Sequence, residues 1–182
     1  SGVAPMPEII PNYHPIFVHF TIALISTSLA MLVLSYLLRS KHNIQQECLI
    51  VSRWCLWLGA LASLATIAAG FHAFYTVGHD AVSHKVMTVH RNWGITTFTA
   101  IWLMAVWSFA LYLKHKPVRW LFAIGLAITT ALVMITGWYG AELVYRYGTG
   151  VKSLPQVETV GHRHDTSSSS MIGNSSQSSH DA

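Results

Sequence analysis

The stretch IFVHFTIALISTSLAMLVLSYLL, residues 16–38, contains no Lys, Arg, Asp or Glu. An α-helix needs roughly 20 mostly apolar residues to cross the hydrocarbon layer of a bilayer. The stretch has that length, and it lacks the period-two alternation of a half-buried strand. It therefore reads as a membrane-spanning helix. Three further runs have the same character: 54–77, 93–113 and 120–144. With 52% hydrophobic and 10% charged residues, the chain falls well below the ~25% charge of a soluble domain. Mean hydropathy is +0.43. The expected fold is all-α, a transmembrane four-helix bundle, and with no strand pattern a barrel is not a serious competitor.

Punctuation supports this division. Pro15 stands where a first-turn proline is tolerated, RSKHNIQQE (39–47) separates the first two helices, and KHKPVR (114–119) separates the last two. Short connections favour an up-down-up-down order. Aromatic residues mark both interfaces: Tyr36, Trp54, Trp57, Tyr112 and Trp120 on one side, and Tyr13, Tyr75, Trp93, Trp138, Tyr139 and Tyr145 on the other. The division expected is an outer N-terminal segment (1–15), a membrane domain (16–151) and a tail (152–182). That tail is Ser- and His-rich and nearly free of aromatics, a composition that favours disorder. No internal repeat is expected. No cleavable signal peptide is read, and the start SGVAPM fits loss of an initiator Met.

Lys and Arg give an orientation. Arg39, Lys41, Arg53, Lys114, Lys116 and Arg119 share one side; Lys85, Arg91, Arg146 and Lys152 lie near the membrane on the other, with Arg163 further out. The richer side is expected in the cytoplasm, which puts both termini in the periplasm of a bacterial inner membrane. The net charge of +4 follows from these anchors and gives no reason to invoke nucleic acid. Cys48 and Cys55 form no C-x-x-C pair, and no C-x-x-C-H is present. Covalent c-type haem is thereby excluded.

Histidine is the informative residue. An up-down bundle brings His14, His19, His72, His79, His84 and His90 to one end, whereas His42 and His115 sit among lysines at the other. Ionisable groups at membrane depth point to function. Two imidazoles from different helices can hold a b-type haem from its two faces. His19, His72 and His90, with His84 next, are the metal-ligand candidates, for one haem or two. His19 is expected to be buried. His14, which precedes Pro15 and should leave the helical region, is expected at the surface. Gly70, Gly94 and Gly140 would admit a macrocycle, Trp93 and Trp138 would line it, and Arg91, Lys85 and Arg146 would meet its propionates. Glu142, His14 and Tyr145 are candidate quinol proton acceptors, although Glu142 also has the spacing of an ion pair with Arg146.

HPIFVHFTIAL (14–24) and GWYGAELVYRYGTGV (137–151) together resemble a family of bacterial four-helix membrane proteins known as a domain of unknown function. Its members show an H-P-x-x-x-H-F-P-I-A-like start and a G-x-x-x-L-V-Y-x-x-G-x-G-V-like close. Thr21 stands where that pattern commonly has Pro. The resemblance covers about residues 12–151. It implies an electron-transfer setting, because some relatives are joined to cytochrome c-like modules.

The resulting expectation is a b-type cytochrome in the lipid bilayer. It would relay electrons near the outer face, between quinol and a periplasmic cytochrome or larger redox complex. The alternatives are a copper or zinc protein using His14, His19, His79, His84 and His90, and a structural accessory subunit of a respiratory complex.

Overall fold

The computed structural model describes residues 13–76 and 81–146. These form four α-helices: α1 (His14–Leu37), α2 (His42–Thr76), α3 (Ala81–Leu113) and α4 (Trp120–Tyr145). No strand occurs among the described residues. Each helix is long and apolar enough to cross a membrane. Both α1 and α3 pack against α2 and α4, so α1 lies diagonally opposite α3. The order is up-down-up-down. The proposed tail lies outside the described residues.

Two helices outrun the apolar runs that announce them. With 35 residues and a rise of about 1.5 Å per residue, α2 is roughly 52 Å long, against a hydrocarbon layer of about 30 Å. It already begins at His42, within the stretch expected as a connection. α3 begins at Ala81, which makes His84 and His90 helical. Helix α1 starts at His14 with Pro15 in its first turn. There the ring displaces no hydrogen bond, because first-turn N–H groups have no helical partner.

The core is thin, as expected where lipid covers the outer faces. One residue from each helix, Ile25, Leu56, Ile101 and Leu126, is no more than 1% exposed. Close approach of α1 and α2 is secured by reciprocal bonds: the Ser28 hydroxyl donates to the Ser52 carbonyl and the Ser52 hydroxyl to the Ser28 carbonyl, each at 2.8 Å. Gly59 permits it, since a Cβ there would fall 2.7 Å from Ile25 Cδ1.

The bundle contains an internal repeat, contrary to the sequence expectation. A shift of 76 residues carries His14, Thr21, Ile25, Tyr36 and Leu37 of α1 onto His90, Thr97, Ile101, Tyr112 and Leu113 of α3. A shift of 70 carries Leu56, Thr66, Gly70 and Tyr75 of α2 onto Leu126, Thr136, Gly140 and Tyr145 of α4. Burial follows the same registers. Ser52, Leu56, Gly59, Ala60 and Ser63 are buried in α2, as are Phe122, Leu126, Thr129, Thr130 and Val133 in α4. Helix α2 begins at His42, ahead of Ile50, which matches the first residue of α4, Trp120; this longer start makes the two shifts differ, so no single period shows in the sequence.

Candidate site at the histidine end of the bundle

The first turn of α1 sets the His14 ring inward, against α2. Its Nδ1 lies 3.0 Å from the Thr66 carbonyl, and a Cβ on Gly70 would come within 3.0 Å of its Cε1. Glycine lets the imidazole lie on the helix backbone there; with any side chain the ring would have to shift by a few tenths of an ångström. One turn into the bundle, the Thr21 and Thr66 hydroxyls meet at 2.8 Å. This bond fixes the register of α1 on α2.

The second hairpin repeats the arrangement. His90 of α3 lies on Gly140 of α4, where an added Cβ would stand 3.2 Å from its Cε1. The Thr97 and Thr136 hydroxyls meet at 2.7 Å. His14 and His90 then face each other across the bundle diagonal, their ring centroids 6.2 Å apart and their planes at 79°. The Nδ1 of His90 is buried without a hydrogen-bond partner.

The other candidates are distributed differently. His19 is exposed, and its ring bonds back to the Pro15 carbonyl of its own turn; the expectation of a buried His19 and a surface His14 is therefore reversed. Five helical residues separate the two by about 140°, so only one could face the core. His72 and His84 are also exposed, with His84 beside the Phe74 ring at 5.8 Å. His79 lies outside the described residues. Gly94 borders open space, and Trp138 is 74% exposed. Trp93 stacks on Tyr139 at 6.0 Å.

Charged groups at this end are partly committed. Arg146 pairs with Glu142 at 2.8 Å, the alternative noted for that acid, and Tyr145 is fully outside the bundle at 90% exposure. The Arg91 guanidinium lies 5.1 Å from the centre of the Phe74 ring and donates to Asn92 Oδ1 at 3.3 Å. Lys85 is exposed. Among the described residues, no group of three or more His, Cys, Asp or Glu could hold a metal ion. The interhelical bonding of Thr21, Thr66, Thr97 and Thr136 escaped the sequence reading. Their signal was His-x6-Thr on one helix and Thr-x3-Gly on the next, each occurring twice.

Among known proteins, the profile of a family described as predicted membrane protein (DUF2231) matches residues 11–153. No curated protein and no solved structure matches the chain.

Proposed function

The chain belongs to the DUF2231 family of predicted membrane proteins, and from that premise we propose that it is a membrane electron carrier with a b-type haem held between His14 and His90. The supporting observation is the pairing of those two imidazoles from diagonal helices, 6.2 Å between centroids. Imidazole nitrogens bind metal ions at about 2 Å, so two rings this close could both reach one ion held between them. The buried, unpartnered Nδ1 of His90 is a donor atom in want of an acceptor partner. His14 and His90 would be the two imidazoles that hold such a group.

The bound haem would supply one-electron chemistry. The protein's own part is to hold and insulate it. The Thr66 carbonyl takes the Nδ1 proton of His14, which fixes its tautomer and leaves the lone pair on Nε2. Arg91 and Lys85 stand at the same end to meet propionates; Arg146 is already neutralised by Glu142. That ion pair also weakens Glu142 as a proton acceptor for quinol. His14 serves here as a ligand, which leaves Tyr145 as the remaining candidate at the quinol side. The electron partners are quinol in the membrane and a redox protein at the outer face.

Copper or zinc is the weaker reading, since protein sites for zinc supply three or four ligands and no such group exists among the described residues. Protein expressed with sufficient haem and purified in mild detergent tests the proposal. The expected result is a sharp Soret band with split visible bands on dithionite reduction, lost in His14→Ala and in His90→Ala. A well-folded wild-type protein with a featureless spectrum overturns it.

A further inference from the structure

The two hairpins do more than resemble each other; each lays a histidine ring on a glycine and ties its helices with a threonine pair. In the first, His14 lies on Gly70 with its Nδ1 at the Thr66 carbonyl, and Thr21 ties the helices together through Thr66. In the second, His90 lies on Gly140 and Thr97 ties the helices through Thr136, while the His90 Nδ1 is buried with no hydrogen-bond partner. Corresponding residues fall at corresponding positions under the two shifts of the repeat. Two helices per unit means that both units run through the membrane in the same direction. A two-fold axis along the bundle therefore relates them, and the two imidazoles meet beside that axis.

We infer that Gly70 and Gly140 are positioning residues of two equivalent half-sites, each holding one imidazole of a single symmetric two-nitrogen metal site. Neither hairpin completes the site. The chemistry explains the choice of residue. An imidazole can reach the carbonyl of residue i on a neighbouring helix only if residue i+4, one turn on and on the same face, leaves it room. Thr66 with Gly70, and Thr136 with Gly140, have that spacing. Glycine at the second position is what turns a helix surface into a histidine socket. Gly94, also at this end, has no atom within 4 Å of an added Cβ and has no such role.

A symmetric pair makes a specific demand on the ligand. It would have to accept two imidazole nitrogens, one from each hairpin. The identity of that ligand rests on the haem reading above; the sockets do not.

The test uses the full chain in detergent, with Gly70→Ala, Gly140→Ala and Gly94→Ala compared in two ways. The first is the reduced spectrum of haem-loaded protein. Gly70→Ala and Gly140→Ala should each lose most of the low-spin bands, to similar extents, and Gly94→Ala should retain them. The second needs no cofactor: nitrogen-15 spectra of histidine-labelled protein, with His14 and His90 assigned by substitution. Gly70→Ala should shift the His14 ring resonances and Gly140→Ala those of His90. If both variants keep the low-spin bands of a haem-binding wild type, the sockets are refuted and the haem reading stands. If the wild type binds no haem, that reading falls, while unshifted imidazole resonances in the two variants are still required to refute the sockets.

Discussion

At the scale of single residues, the bundle spends its few internal polar groups on each other. Thr21 is 6% exposed, and its hydroxyl lies 3.2 Å from the Phe17 carbonyl and 2.8 Å from the Thr66 hydroxyl. In lipid there is no water to take over these bonds, although helices separated in the membrane also find local partners. Thr66 keeps its own bond to the Ala62 carbonyl at 3.0 Å. Thr21→Val should therefore cost only about 0.6 kcal/mol, near the average for interhelical bonds in membranes. Thr97→Val should cost about twice as much, because the Thr97 hydroxyl bonds across the helices both to the Thr136 hydroxyl and to the Leu132 carbonyl at 3.3 Å. Unfolding in mixed micelles with increasing SDS checks both values. Equal costs would show that the Thr97–Leu132 bond contributes nothing measurable. The histidines show how far residue-level reading reaches. Their gathering at one end was legible from topology alone, but the choice between His14 and His19 was not. That choice turned on a first-turn proline, where the usual steric bias against helix is offset by packing of the His14 ring on Gly70.

At the scale of elements, hydropathy revealed four helices but measured only the parts immersed in lipid. Residues 42–53 of α2 and 81–92 of α3 carry enough polar side chains to hide from an apolar-run search, yet a helix outside lipid satisfies its backbone just as well. Composition marks where the solvent changes; it does not mark where the helix ends. Helix α3 ends by a more local device. His115 adopts φ 49°, the Lys116 N–H donates to the Leu111 carbonyl at 3.0 Å, and the His115 N–H to the Tyr112 carbonyl at 3.1 Å. This is the two-bond Schellman termination, with histidine at the position that usually holds glycine. A side chain in that left-handed conformation costs roughly 1 kcal/mol. His115→Gly should recover about that amount, read as a rise in the thermal midpoint of detergent-solubilised protein. An unchanged or lowered midpoint would mean that the His115 side chain contributes more than its backbone strain removes. The substitution should leave the histidine end untouched, since it lies at the far end of α3.

At the scale of the whole molecule, the repeat is the least legible feature and the one that organises the rest. Identities such as His14 with His90 and Gly70 with Gly140 are scattered among freely exchanging apolar residues. The 76- and 70-residue shifts also defeat a search for one period. Only burial and bonding partners align them. The repeat bears on orientation, because hairpins related by an axis along the bundle enter the membrane in the same sense. Each must then favour the same side independently. They do: the α1–α2 turn and the start of α2 carry Arg39, Lys41 and Arg53, and the α3–α4 connection carries Lys114, Lys116 and Arg119. Both sets lie opposite the histidine end, and cytoplasmic loops are the ones that collect Lys and Arg. A phosphatase fused after Val151 should therefore be active outside the cytoplasm, and a fluorescent protein fused there by the general secretion route should stay dark. The reverse pattern would place His14 and His90 at the inner face. An electron leaving the proposed haem would then need a cytoplasmic acceptor, and the outer-face relay would fail even with its haem in place.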